Sequence, residues 1–232
     1  MALVQRLLSF QDPGSELSRL NRARGAEIAL HPIAARVLRL ARAATRASGG
    51  LFNCTVGGAL VRRRRLPGEV TSSTLDAGNA SDIRMRGRRA RLIRPVLVTL
   101  DGIAKGYAVD LAVASLMRSG VAAGWVNAGG DLRAFGDICV PVCRRDLDGR
   151  LVMLGSLAGG AVATSRFGGR ADERFPGFII GDRPPPRAAS LWTVLARRAW
   201  QADAMTKCAA LAPCADRRLL LERFGGRLLA GG

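Results

Sequence analysis

Two glycine turns bracket one helical segment in the stretch LDGIAKGYAVDLAVASLMRSGVAAGWVNAGGDLRAF, Leu100 to Phe135. The first turn surrounds Asp101 and Gly102, and the second holds Asn127, Gly129, Gly130 and Asp131. Glycine admits positive φ and close backbone approach, so two such turns beside carboxylates suit a cradle for a polyanionic ligand. The spacing alone fits two ordinary turns and a helix cap equally well. A second signal is the rarity of lysine. Of 36 basic residues only Lys105 and Lys207 are lysines, and every other one is arginine. Where arginine supplies nearly all the positive charge, a lysine points to a need for its shape or compact charge.

Five segments in order extend the pattern: SELSRLN (Ser15 to Asn21), GLFNCTVGGAL (Gly50 to Leu60), the central stretch above, AVATS (Ala161 to Ser165) and ADAMTK (Ala202 to Lys207). Together they resemble the FAD:protein FMN transferase (ApbE) family, whose members carry G-x-F-D-x-T-V-G, V-A-T-S and A-D-A-L segments in this order. The resemblance implies an α+β fold of two related subdomains with the flavin nucleotide between them, formed by one domain over residues 1–232. It also implies transfer of the FMN half of FAD onto a threonine hydroxyl of an acceptor protein, with AMP leaving. Such a reaction needs charge neutralisation at the phosphates and an in-line nucleophile.

For Mg²⁺, the resemblance points to Asp203, Thr206 and a backbone carbonyl near Gly102. Asp203 and Thr206 are three apart at a predicted helix start and can share a face. A carboxylate and a hydroxyl, completed by water and phosphate oxygens, suit this ion. On spacing alone a first-turn carboxylate beside a surface hydroxyl fits better. The family's usual threonine stands four residues after the aspartate, where this chain has Lys207. For FAD, the resemblance implies contacts from Ser15, Leu51, Phe52, Asn53, Thr99, Asp101, Lys105, Asn127, Gly129, Gly130, Asp131, Ser165 and Ile180. Asp203 and Lys105 carry the catalytic expectation. Thr99 and Asp101 are expected on one face of a strand end. Phe52 equally suits a core position.

The chain also departs from the family. Members usually begin with a strand and a Met-Gly turn, so this one is expected to be N-terminally short, without the first strand. Their H-x-I-D-P-x-T-G segment is represented by FIIGDRPPP, where the histidine is absent and Asp182 is displaced. These departures favour a diverged, non-catalytic FAD-binding protein as the alternative. The single histidine, His31, reads as a surface or capping residue.

The elements that must position these residues follow from pattern. Helices are predicted from Pro32 to the Gly49–Gly50 stop, over Gly106 to Ser119, over Ala202 to Leu211, and from about Asp216 to Gly225. Ala2 to Phe10 reads as helix. Strands are predicted at Val96–Leu100, Gly124–Ala128, Leu132–Phe135, Leu151–Leu157, Gly160–Thr164, Phe178–Ile180 and Leu191–Leu195. Val140 and Val142 alternate as in a strand. Loops are predicted at Gly168–Pro176 and Gly181–Ala188.

The net charge of +18 raises a third class, an arginine-rich nucleic-acid binder. The arginines are scattered, without aromatic interleaving, so no specific nucleic acid is expected. No apolar run reaches the ~18–20 residues of a membrane span. The opening MALVQRLLSF lacks a signal-peptide pattern, and a cytoplasmic location is expected, with export if translation starts upstream. The five cysteines are expected to be reduced and mostly buried.

Overall fold

The computed structural model describes residues 2–169, 178–181 and 186–231. The chain divides into two compact units, Met1–Ala104 and Lys105–Gly232.

The first unit holds helices α1 (Ala2–Leu8), α2 (Glu16–Arg22), α3 (Pro32–Ala47) and α4 (Gly57–Arg62). Strands β1 (Ile28–Ala29), β2 (Ile83–Arg86) and β3 (Arg89–Leu92) form a small sheet in the order β1-β3-β2. Helix α3 starts as its sequence requires. His31 is the N-cap, its Nδ1 accepting from the Ile33 N–H at 3.2 Å, and Pro32 occupies the first position. The stripe Ala34, Val37, Leu38 and Ala41 is buried.

The expected strand at Val96–Leu100 does not form. Val96, Val98 and Leu100 are buried and Leu97 half-buried, but among the described residues the only bridge of this segment is Leu97 to Val56. The backbone is satisfied otherwise. Val98 exchanges two 2.8 Å hydrogen bonds with the Asn21 side-chain amide, and Thr99 N–H donates to the Cys54 carbonyl. An asparagine on α2 thus replaces a neighbouring strand. The hairpin β2–β3 was not expected, although IRMR and RARL alternate with period two.

The second unit is built on a five-stranded antiparallel sheet in the order β10-β9-β8-β5-β4. Its strands are β4 (Gly124–Ala128), β5 (Asp131–Phe135), β8 (Gly160–Phe167), β9 (Ser190–Ala196) and β10 (Gly226–Gly231). Strands β6 (Val140–Arg145) and β7 (Leu151–Leu157) pair as a separate hairpin. The helices are α5 (Ala104–Arg118), which begins at the unit boundary, α6 (Ala199–Leu211) and α7 (Cys214–Arg223). Alternation along the strands divides the core. Val162 joins Leu132, Ala134, Val140, Val142 and Leu157 on one face, whereas Ala161 packs with Val109 of α5 and Ala199 of α6 on the other.

Two further expectations need correction. Phe178–Ile180 forms no strand. Only Cys54 and Cys208 are buried, whereas Cys139, Cys143 and Cys214 are exposed. Cys143 lies on the outward side of the β6–β7 hairpin, opposite Met153, which accounts for its exposure. Of the two expected loops, residues 170–176 and 182–185, Asp182 among them, lie outside the described residues. The remaining positions of those loops carry neither helix nor strand. No described helix is long and apolar enough to cross a membrane.

Candidate functional site

The first turns of α5 and α6 approach each other at Gly106. A Cβ added there would lie 2.4 Å from the Ala199 carbonyl oxygen, so only glycine permits this approach. The approach lets the Gly106 N–H donate to Asp203 Oδ2 at 3.3 Å. From α5, Asp110 caps the other helix: Oδ1 accepts from Ala199 N–H at 3.2 Å and Oδ2 from Trp200 N–H at 3.1 Å. Helix α6 has no side-chain cap of its own, so Asp110 supplies one from a neighbouring element. Arg133 of β5 completes the joint with a 2.6 Å bond to Asp110 Oδ1.

Both lysines belong to the centre so formed. Lys105 Nζ lies 3.2 Å from Asp131 Oδ1 and donates to the Gly129 carbonyl at 3.3 Å. Lys207 Nζ pairs with Asp203 Oδ1 and donates to the Asp203 carbonyl at 2.9 Å. Asp131 and Asp203 are almost fully buried. Among the described residues Lys105 is the partner of Asp131, meeting Oδ1 as an ion pair.

This arrangement separates the two carboxyls electrostatically. Burial, reinforced by repulsion from Asp203, pushes Asp131 well above the usual carboxylate range despite Lys105 and Lys207. Burial also acts upward on Asp203, but Lys207, Lys105 and the Gly106 N–H outweigh it and hold that group below its usual range. Burial would depress Lys105, yet the Asp131 and Asp203 charges prevail and raise it.

The turn after β4 follows the glycine pattern, with φ of 58° at Gly129 and 94° at Gly130. Gly130 N–H donates to Asn127 Oδ1 at 3.1 Å, closing the turn. Ser165, on β8, lies 2.6 Å from Thr206, oxygen to oxygen, and the Thr206 hydroxyl donates to the Asp203 carbonyl at 2.7 Å. The second unit therefore gathers Lys105, Asn127, Gly129, Gly130, Asp131, Ser165, Asp203 and Thr206. Ile180 is half-buried outside any strand.

The remaining expected site residues belong to the first unit. Ser15 is the N-cap of α2, accepting from Ser18 N–H and donating to the Ser9 carbonyl at 2.6 Å. Phe52 is buried and Leu51 half-buried. Asn53 accepts from Thr55 N–H and Oγ1 and donates to the Gly78 carbonyl. Thr99 is buried and Asp101 exposed, in a turn that includes Gly102, so the expected shared strand face is not present.

Sequence reasoning missed Asp110, Arg133 and the special need for glycine at 106. Their signal was available in part: an aspartate inside the apolar helix pattern AKGYAVDLAV calls for a buried partner.

Among the described residues, no three His, Cys, Asp or Glu side chains cluster as a metal cage. Mg²⁺ does not require one, since it binds one or two carboxylates and keeps waters. The Asp203 carboxylate and the Thr206 hydroxyl are oxygen donors of the chemistry that suits that ion.

The sequence matches the ApbE family over residues 1–229, and the chain belongs to that family. Its fold is similar to that of the ApbE protein of Thermotoga maritima, with a TM-score of 0.77 and 22% identity over 98% of this chain and 82% of that one. The flavinyl transferase ApbE of Pseudomonas stutzeri, in its apo form, is similar with a TM-score of 0.72 and 20% identity over 99% and 77% of the two chains. The H257G mutant of the Vibrio cholerae flavin transferase ApbE gives 0.76 and 21% over 95% and 78%. No curated protein matches the sequence.

Proposed function

We propose that this protein is a Mg²⁺-dependent FAD:protein FMN transferase. It moves the FMN half of FAD onto a threonine hydroxyl of an acceptor protein. The threonine oxygen forms a bond to the FMN-side phosphorus, the bond from that phosphorus to the AMP oxygen breaks, the hydroxyl proton is lost, and AMP departs. The observation that carries this reading is the pairing of the only two lysines with two buried aspartates at the α5–α6 joint, in a chain matched to the ApbE family from 1 to 229.

In this reading Lys105 serves the phosphates as a compact charge, held beside the Gly129–Gly130 turn by Asp131. The exposed turn offers its backbone to the pyrophosphate, and Asn127 fixes its shape. Asp203, with the Thr206 hydroxyl and the Gly102 carbonyl that the family resemblance adds, would hold Mg²⁺, which when bound neutralises charge on the transferring phosphoryl group. The joint of Gly106, Asp110 and Arg133 sets the two helix starts that carry Lys105 and Asp203. Ser15, Leu51, Phe52, Asn53, Thr99, Asp101, Ser165 and Ile180 are proposed as further FAD contacts on the family resemblance.

The test uses purified protein, FAD and Mg²⁺. Flavin fluorescence should show tighter binding of FAD than of FMN, and chromatography should show AMP released from FAD. Incubation with a threonine-bearing acceptor should add the mass of FMN to it. Equal affinity for FAD and FMN would refute the dinucleotide site. Tight FAD binding without AMP release would select the non-catalytic reading.

A further inference from the structure

Lys207 follows Asp203 by one turn of α6 and touches it twice, at the carboxylate Oδ1 and at the backbone carbonyl 2.9 Å away. Its side chain is 18% exposed and that of Asp203 only 3%. An ordinary i,i+4 pair on a helix surface joins two solvated side chains. Here the ammonium sits instead among oxygens of one buried residue, as a bound metal ion would. Lys105 does the same at the second carboxylate, meeting Asp131 Oδ1 and the Gly129 carbonyl. Two ammonium groups face two buried carboxyl groups, so the quartet already carries its own positive charge without any metal. An arginine would place a broad planar fork there, whereas lysine offers a compact charge. In a chain with 36 basic residues, lysine occurs at these two positions and nowhere else.

We propose that Lys207 is a tethered counter-cation that holds the Asp203 oxygens a divalent ion would take, so that the free protein binds such ions weakly. To reach Asp203, the ion must displace the ammonium. The inference rests on the reading of Asp203 as the cation-binding carboxylate of the site. A divalent ion entering with Lys207 in place adds two positive charges beside two ammonium groups in a poorly solvated site, where like charges repel more strongly than in water. A polyanion at the adjacent glycine turn offsets that charge and gives Lys207 a second partner. Binding of the ion and of the nucleotide is therefore mutually reinforcing.

The test is a titration of the flavin-free protein with Mn²⁺, read by electron paramagnetic resonance and by thermal melting. The native chain is compared with Lys207→Met, which removes the charge, and Lys207→Arg, which keeps it. Lys207→Gln, which retains a donor for the Asp203 carbonyl, is the second neutral variant should the methionine form fold poorly. The neutral variants should bind Mn²⁺ at least about tenfold more tightly than the native chain, and Mn²⁺ should raise their melting temperature more. Lys207→Arg should stay as weak as the native chain. Native binding as tight as that of the neutral variants overturns the proposal and leaves the cation role of Asp203 standing. Absence of Mn²⁺ binding in all four forms overturns that role as well. FMN transfer itself is judged separately, by AMP release.

Discussion

Asp110 and Asp203 cap each other's helices. Asp110, on α5, takes the Ala199 and Trp200 N–H groups that open α6, and Asp203, on α6, takes the Gly106 N–H in the first turns of α5. Each carboxylate satisfies backbone donors that its partner helix cannot satisfy alone, and each meets the positive end of a helix dipole. The reciprocity fixes the spacing of the two helix starts. It therefore also fixes Lys105 and Asp203, which the proposed chemistry needs held together.

Gly106→Ala tests that spacing. The added methyl would meet the Ala199 carbonyl oxygen at 2.4 Å and the Trp200 nitrogen at 2.8 Å, both backbone atoms that no rotamer change can clear. Overpacking of this kind typically costs about 1–3 kcal/mol. Thermal melting should record that loss, and AMP release should fall further than the lost stability explains, because the Gly106–Asp203 bond stretches. Native activity in a folded Gly106→Ala protein would show that the helix spacing is unimportant.

Asp110→Ala should be more damaging than most core truncations. It strands the Arg133 guanidinium, whose side chain is 12% exposed, and removes the acceptors for two helix N–H groups. Breaking one partner of a buried pair costs about 3–5 kcal/mol. The double variant Asp110→Ala with Arg133→Met should recover part of that loss, because no buried charge remains unpaired. Urea unfolding of the three variants and the native chain forms the cycle that checks it.

The same joint shows how far the sequence could be read. Helix α3, bounded by His31, Pro32 and the two glycines, was legible because its start, stripe and stop are all local signals. The two lysines stood out in the sequence by their rarity, and each pairs with a buried aspartate. The Val96–Leu100 segment misled because its apolar pattern reports burial and not pairing, and Asn21, 77 residues away from Val98, supplies the missing hydrogen bonds. The β2–β3 hairpin was hidden because arginine occupies its outward positions so densely that the alternation resembles a charged loop. Asp110 could be suspected of needing a partner, but that the partners are an arginine on β5 and the start of α6 depends on the tertiary fold.

Asp82 gives the first unit a distinct acid sensitivity. Its buried carboxylate takes two 2.6 Å bonds from the Arg94 guanidinium and one of 2.8 Å from Asn79 N–H. The Arg94 bonds hold the carboxyl below its usual range against the upward push of burial, with Asn79 adding to the effect. A carboxyl lowered in the folded state contributes stability that is complete above its unfolded value of about 3.9 and is lost as pH falls through the folded value. Arg94→Met should therefore lower the melting temperature at neutral pH, and the gap from the native chain should close below about pH 4. Melts at a series of pH values check this, and a gap unchanged in acid would show that Asp82 is not its source.

Asp203→Asn is the decisive test of the transfer chemistry. The amide keeps the shape of the carboxylate and can still accept from Gly106 N–H, so the α5–α6 joint has its bond available. The change removes the negative charge that faces Lys207 and that would hold Mg²⁺. Loss of the charged ligand should slow AMP release from FAD by roughly a thousandfold or more. Thr206→Ala should cost less. It deletes a hydroxyl bonded to Ser165 and to the Asp203 carbonyl, a loss of about 1 kcal/mol in stability, and leaves the carboxylate in place. Rates measured at saturating FAD, with melting curves beside them, separate the two effects. Near-native AMP release by a folded Asp203→Asn protein would remove Asp203 from the reaction.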